Sequence, residues 1–153
     1  TPKMGPTRAL PVSKPGDEDL INLAWAVVEE GWNRQEFTSV RSLLAAEFPL
    51  HVGGDTYLTN ADHFETIVSG WHTAFPDFRF EIHSITADDH IAAVRATLHG
   101  THLGPWGPLQ PTGRTIAVEH AFFLAFNHGL ITEVWEILDR SQLDTQLTGD
   151  QPT

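Results

Sequence analysis

An α+β fold, helices first and antiparallel strands after, is what this sequence predicts, and three observations carry the prediction. Up to Ala74 the apolar residues recur at helical spacing. From Phe78 onward they alternate with period two, in runs separated by short turn signals. The strand candidates follow one another directly instead of alternating with helices, which argues against a parallel βαβ sheet. At 153 residues the chain suits a single domain large enough to enclose a pocket.

The elements follow in order. Residues 1–16, rich in Pro and Gly, are expected to form a flexible leader, with the domain spanning 17–147 and a polar tail at 148–153. Asp17 is a candidate N-cap for a first helix whose stripe is Leu20, Leu23, Ala24, Val27 and Val28, closed by Trp32. A shorter helix is expected over Thr38 to Glu47, then irregular chain with a turn at Gly53-Gly54-Asp55. A third helix, capped by Asn60 or Asp62, runs from about Ala61 to Ala74 with Phe64, Ile67, Val68 and Trp71 inward. Strands are expected at Phe78–Thr86, Ile91–His102, Thr115–Asn127 and Leu130–Asp139. Between the second and third of these lies the Gly- and Pro-rich stretch GTHLGPWGPLQPTG.

Strand parity exposes the candidate chemistry, because residues two apart share a face. The even residues of 91–102 are apolar but end in His102; those of 115–127 are Ile116, Val118, His120, Phe122, Leu124 and Phe126. On 130–139 the odd set reads Ile131, Glu133, Trp135, Ile137 and Asp139. An ionisable group facing a core is costly unless it is paired or the core opens into a cavity. Each has a plainer explanation: His120 bonded to a backbone carbonyl, Asp139 capping the turn around Ser141, His102 bracing the Gly/Pro loop, Glu133 exposed or paired with Arg. An Asp inside an apolar cavity would instead have a raised pKa and could exchange a proton with a carbon next to a carbonyl, helped by a histidine. Trp25, Trp32, Trp71 and Trp135 can supply a flat wall for an aromatic ligand, or serve as ordinary core.

Composition removes several classes. A formal charge of −11 with nine scattered Lys and Arg argues against nucleic acid and anionic membranes as partners. Zero cysteines exclude disulfides and thiolate chemistry. No HExxH, P-loop, GxGxxG or nucleophile-elbow pattern occurs, so neither a metal nor a nucleotide cofactor is expected. No apolar run approaches a membrane span, the densest being AFFLAF at 121–126, and a cytoplasmic location is the expectation.

The segments EEGWNRQEFTSVRSLLAAEFPLH, AFPDFRFEI, VRATLHGTHLG, PTGR, GLITEVWEILD and QL, in that order from about Asp17 to Leu147, resemble the SnoaL-like polyketide cyclases of the NTF2-like superfamily. The resemblance implies a cone: a strongly curved, mostly antiparallel sheet wrapped around the N-terminal helices and enclosing one deep pocket for a bulky hydrophobic or polycyclic molecule. It implies cofactor-free intramolecular aldol condensation, with Asp139 as acid/base, and His120 and His102 as its helpers. Asn33 and His51 match pocket polar positions of the family, and Trp32, Trp71, Trp135 and Phe122 complete the expected wall. It also implies a homodimer formed through the outer face of the sheet. Hydroxylation with a partner reductase and a binding module without chemistry are the alternatives. The segment FPLHVGGDTYLTN departs from shorter family versions at the pocket mouth.

Overall fold

The computed structural model describes residues 16–149; the remainder of the leader and tail expectations lies outside the described residues. Helix α1 (Asp17–Ala26) starts after Gly16, which stands at the cap position in place of the expected Asp17. It runs on without a break into a π-helical stretch, Val27–Asn33, a widened form that occurs mostly as short local features of helices. The helix α2 (Phe37–Arg41) follows, then strands β1 (Phe48–Val52) and β2 (Asp55–Thr59) and helix α3 (Ala61–Ala74). Strands β3 (Arg79–Asp88), β4 (Ile91–Thr101), β5 (Thr115–Asn127) and β6 (Leu130–Leu138) lead into helix α4 (Arg140–Thr148). All strands join one curved, unclosed sheet in the order β2-β1-β6-β5-β4-β3, antiparallel throughout except for the β1–β6 pair. Mixed pairing of this kind, with helices gathered on one face, is the α+β architecture predicted.

Two expectations in the first half are corrected. The second helix does not reach Glu47, because long-range bonds take over its last turn. Ile131 N donates to Leu43 O (2.8 Å) and Ala45 N donates to Ile131 O (2.9 Å), so residues 43–45 lie alongside the sheet. The stretch after Phe48 is a hairpin, not irregular chain. Gly53 and Gly54 have φ of 62° and 85°, the left-handed conformation that a tight two-residue hairpin turn demands at both positions. Pro49 is tolerated because pairing with β6 begins only at Leu50, opposite Val134, so its missing N–H breaks no bond to that strand.

Helix α3 occupies the predicted range, with the Asn60 side chain accepting from His63 N at 2.9 Å. At its other end the Gly/Pro loop docks onto it: Leu103 N and Gly104 N both donate to Ala74 O at 3.0 Å. A Cβ on Gly104 would lie 2.1 Å from Thr73 O. Gly104→Ala is therefore expected to lower stability by about 1–3 kcal/mol, with Tm falling roughly 2–4 °C per kcal/mol in a thermal melt. An unchanged Tm would show that the loop does not need this close approach.

Asp77 ties the start of β3 to the end of β4, accepting from Thr101 N (2.6 Å) and Thr101 Oγ1 (2.7 Å). Desolvation alone would raise its pKa, but the Thr101 hydroxyl and amide outweigh it and hold the carboxyl below the usual carboxylate value. A depressed folded pKa adds stability above the unfolded value of about 3.9, and that contribution is lost as pH falls through the folded pKa. Asp77→Asn is thus expected to lower Tm at pH 7 and to shrink the wild type's Tm advantage progressively below about pH 4. Melts giving the same wild-type–variant difference at pH 7 and pH 2.5 would contradict this.

The core lies between the concave face of the sheet and helices α1 and α3. Ala92, Val94, Ala96 and Leu98 of β4 and Ile116, Val118, Phe122, Leu124 and Phe126 of β5 are all buried, as parity predicts. On β6 parity is overturned. Ala125 pairs with Glu133 but Phe126 pairs with Ile131, which leaves Thr132 as an extra, bulged residue. One inserted residue flips every side chain beyond it. Ile131 and Val134 are buried, Glu136 and Leu138 turn inward, and Ile137 is 58% exposed on the outer face.

Candidate active site

A cavity of about 290 Å³ opens on the concave side of the sheet. Its walls are mainly apolar and aromatic: Trp32 from the π-helical stretch, Ile67 and Trp71 from α3, Phe80 from β3, Leu98 from β4, Leu50 and Val52 from β1, and Leu138 from β6. Trp106 of the Gly/Pro loop closes one side, its ring 4.3 Å from that of Trp71. A second, smaller apolar space of about 30 Å³ shares Trp32, Leu50, Ile67 and Glu136 with the first and is otherwise lined by residues such as Val28, Phe64, Phe122 and Val134. Concave, largely apolar chambers with a few polar groups are the usual form of small-molecule sites.

The ionisable residues lining the larger cavity are His120, Glu136 and Arg140. His120 and Glu136 form a pair across adjacent strands, His120 Nε2 to Glu136 Oε1 at 3.2 Å, with side-chain exposures of 3% and 13%. The His120 ring is held between Phe80 and Phe122, with centroids 4.8 and 4.4 Å away. With Nε2 bearing the proton that Glu136 accepts, Nδ1 is left with a lone pair. Among the described residues, His120 Nδ1 and His102 Nε2 are the buried side-chain polar atoms without a hydrogen-bond partner. A carboxylate-backed imidazole in the wall of an apolar cavity, with one ring nitrogen left unpartnered, has the chemistry to take a proton from a bound molecule once that nitrogen is reached. Among the described residues no group of His, Cys, Asp or Glu is arranged to hold a metal ion, and no helix is long and apolar enough to cross a membrane.

The sequence profile of the SnoaL-like polyketide cyclases matches residues 22–147. The chain belongs to that family. No curated protein matches it in sequence, but solved structures do. AclR, a proposed hydroxylase from Streptomyces galilaeus, is 25% identical, with 89% of this chain and 86% of that one aligned at a TM-score of 0.77. A proposed SnoaL-like polyketide cyclase from Jannaschia sp. CCS1 shares 16% identity over 93% of this chain and all of its own, with a TM-score of 0.82. IdmH, a proposed polyketide cyclase from Streptomyces antibioticus, shares 21% identity over 83% and 96% of the two chains, with a TM-score of 0.72. The last two likenesses establish the NTF2-like cone and nothing finer.

Of the site residues expected from the sequence, four meet in this space. Trp32 lines both chambers, Trp71 and His120 the larger and Phe122 the smaller. The others lie elsewhere. Asn33 spends its side-chain amide on the protein: Nδ2 donates to Phe80 O (2.9 Å) and Glu29 Oε1 (3.0 Å), and Oδ1 accepts from Phe80 N (2.7 Å). It clamps the π-helical stretch to β3. His51 and Trp135 sit on the outer face of the sheet with their rings stacked at 5.3 Å, and His51 bridges Glu133 (2.6 Å) and Thr56 (2.8 Å). Glu133, expected in the open or with an Arg, is thus paired with a histidine.

His102 is fully buried, and it braces the loop. Its Nδ1 accepts from Thr112 N at 3.1 Å, while its backbone bonds to Gly113 and Arg114. It lines neither chamber. Asp139 is exposed, lines neither chamber although its sequence neighbours Leu138 and Arg140 line the larger, and caps α4 by accepting from Gln142 N at 2.9 Å. The placement of Trp135 and Asp139 on an inward face is corrected by the Thr132 bulge, which brings Glu136 inward in their stead. Sequence reasoning missed Glu136 for that reason. The available signal was that Val134 and Leu138, of opposite parity to Ile131 and Ile137, are also apolar.

Proposed function

We propose that the chain carries out acid/base chemistry on a bulky, hydrophobic polyketide-type ketone, with His120 as the proton carrier and Glu136 as the group that orients and charges it. The observation that carries this reading is His120 itself, a residue of the cavity wall whose Nδ1 is buried without a partner and whose Nε2 is backed by Glu136. Nδ1 takes a proton from the carbon α to a substrate carbonyl. Glu136 stabilises the imidazolium so formed, the same division of labour that a carboxylate has behind a catalytic histidine elsewhere. The enolate carbon attacks a second carbonyl of the same molecule, a carbon–carbon bond closes the ring, and Nδ1–H returns its proton to the new alkoxide. Protons balance and no electrons are gained or lost, so intramolecular aldol cyclisation needs nothing beyond this pair. The apolar walls exclude water, which favours ring closure over loss of the enolate.

The resemblance gives the acid/base role to Asp139, and that assignment competes with Glu136. The exposure of Asp139 outside both chambers and its commitment to the α4 cap argue for Glu136. Deuterium incorporation at the α-carbons of 2-tetralone in D2O, followed by NMR, reads the first proton transfer without the natural substrate. Wild-type protein is expected to accelerate it, and no acceleration over buffer would overturn the reading. A hydroxylation role is the second reading, favoured by the 25% identity to AclR. Substrate-dependent oxygen uptake with a reductase present would select it, because cyclisation consumes no oxygen.

A further inference from the structure

We infer that Arg140 reads a carboxylate on the substrate, so that the molecules this cavity selects are anionic acids and not their neutral esters. The inference rests on the cavity being the substrate site, as proposed above, and names the charge of what enters it. Arg140 is the one Lys or Arg side chain, among the described residues, that lines the 290 Å³ cavity. It also lines a surface groove of about 490 Å³ between the Gly/Pro loop and α4, and Trp106 is the other residue common to both. Arg140 and Trp106 therefore stand where the groove and the cavity adjoin, a place where a ligand in the cavity can leave its polar end.

Stability does not account for an arginine there. Arg140 is in the first turn of α4, where the helix dipole disfavours a cation. Its ion-pair partner, Asp144, is 3.8 Å from Nε, and the two side chains are 66% and 64% exposed, a geometry that contributes little. The guanidinium makes no side-chain hydrogen bond to another described residue, so its planar fork of donors is available for a bidentate carboxylate. A substrate anchored there would extend inward past Trp71 and Phe80 toward the unpartnered His120 Nδ1, with its ionised end at the mouth.

The test uses anthraquinone-2-carboxylate and its methyl ester, each titrated against the full chain at pH 7 by quenching of tryptophan fluorescence. Wild-type protein is expected to bind the carboxylate about tenfold or more tightly than the ester. Arg140→Gln should abolish the preference while leaving ester affinity within about twofold, and Arg140→Lys should keep part of it, having the charge without the fork. Equal affinity of wild type for the two probes, or equal weakening of both by Arg140→Gln, overturns the assignment but leaves the cavity as the site. Failure of both probes to bind wild type overturns the cavity reading and this inference with it.

Discussion

Glu136→Gln is expected to slow α-deuteration of 2-tetralone by about 10²-fold or more, the range that removal of a positioned acid/base group produces. That corresponds to about 2.7 kcal/mol or more of lost transition-state stabilisation. The amide still accepts a hydrogen bond from His120 Nε2 but no longer carries the charge that stabilises the imidazolium. His120→Gln should cost at least as much, since it removes the proton carrier itself. The two losses act through one proton transfer, so the double variant should be little worse than His120→Gln alone. Asp139→Asn should leave the rate within about threefold, because an Asn still caps α4 and the lost charge stands outside the cavity lining. Loss of exchange in Asp139→Asn with full activity in Glu136→Gln would return the acid/base role to Asp139.

Trp32→Ala should destabilise the fold by about 3–5 kcal/mol, with a fall in Tm on the order of 10 °C. Trp32 is 4% exposed and stands among Phe64, Phe78, Phe80 and Phe122, with ring centroids between 5.3 and 6.0 Å away. Its removal enlarges the two chambers it lines and leaves four aromatic rings without their common neighbour. Its backbone carbonyl, which accepts from His72 Nε2 at 2.7 Å, is unaffected, so the loss reports packing. A measured loss below about 1 kcal/mol would show that the wall can collapse around the gap, which close-packed interiors resist.

Strands β4 and β5 could be read from sequence because their alternation is long and uninterrupted over the buried face. Helix α3 was equally plain, carrying a side-chain cap at one end and a proline two residues past its last turn. What escaped depends on long-range or single-residue events. The β1–β2 hairpin consists of two five-residue strands: β1 buries only Phe48 and Leu50, too short a run to set a period, and four residues of β2 are exposed. The end of the second helix was lost to bonds with Ile131, nearly ninety residues away in sequence. Around the candidate site, Trp32, Trp71, Phe122 and His120, all named from sequence, line the two chambers. The partner of His120 was not so named, because a bulge at Thr132 is invisible to a parity rule that assumes an unbroken strand. Asp139 and His102 each had a plain explanation beside the chemical one, a cap and a loop brace, and their hydrogen bonds follow the plain one.

A crystal structure of the protein with 2-tetralone or another polycyclic ketone bound tests the central claim most directly. The account predicts the ligand in the cavity lined by Trp32, Trp71 and Trp106, with an α-carbon within about 3.5 Å of His120 Nδ1. A ligand whose α-carbon lies against Asp139, with His120 Nδ1 turned away from it, would contradict the account.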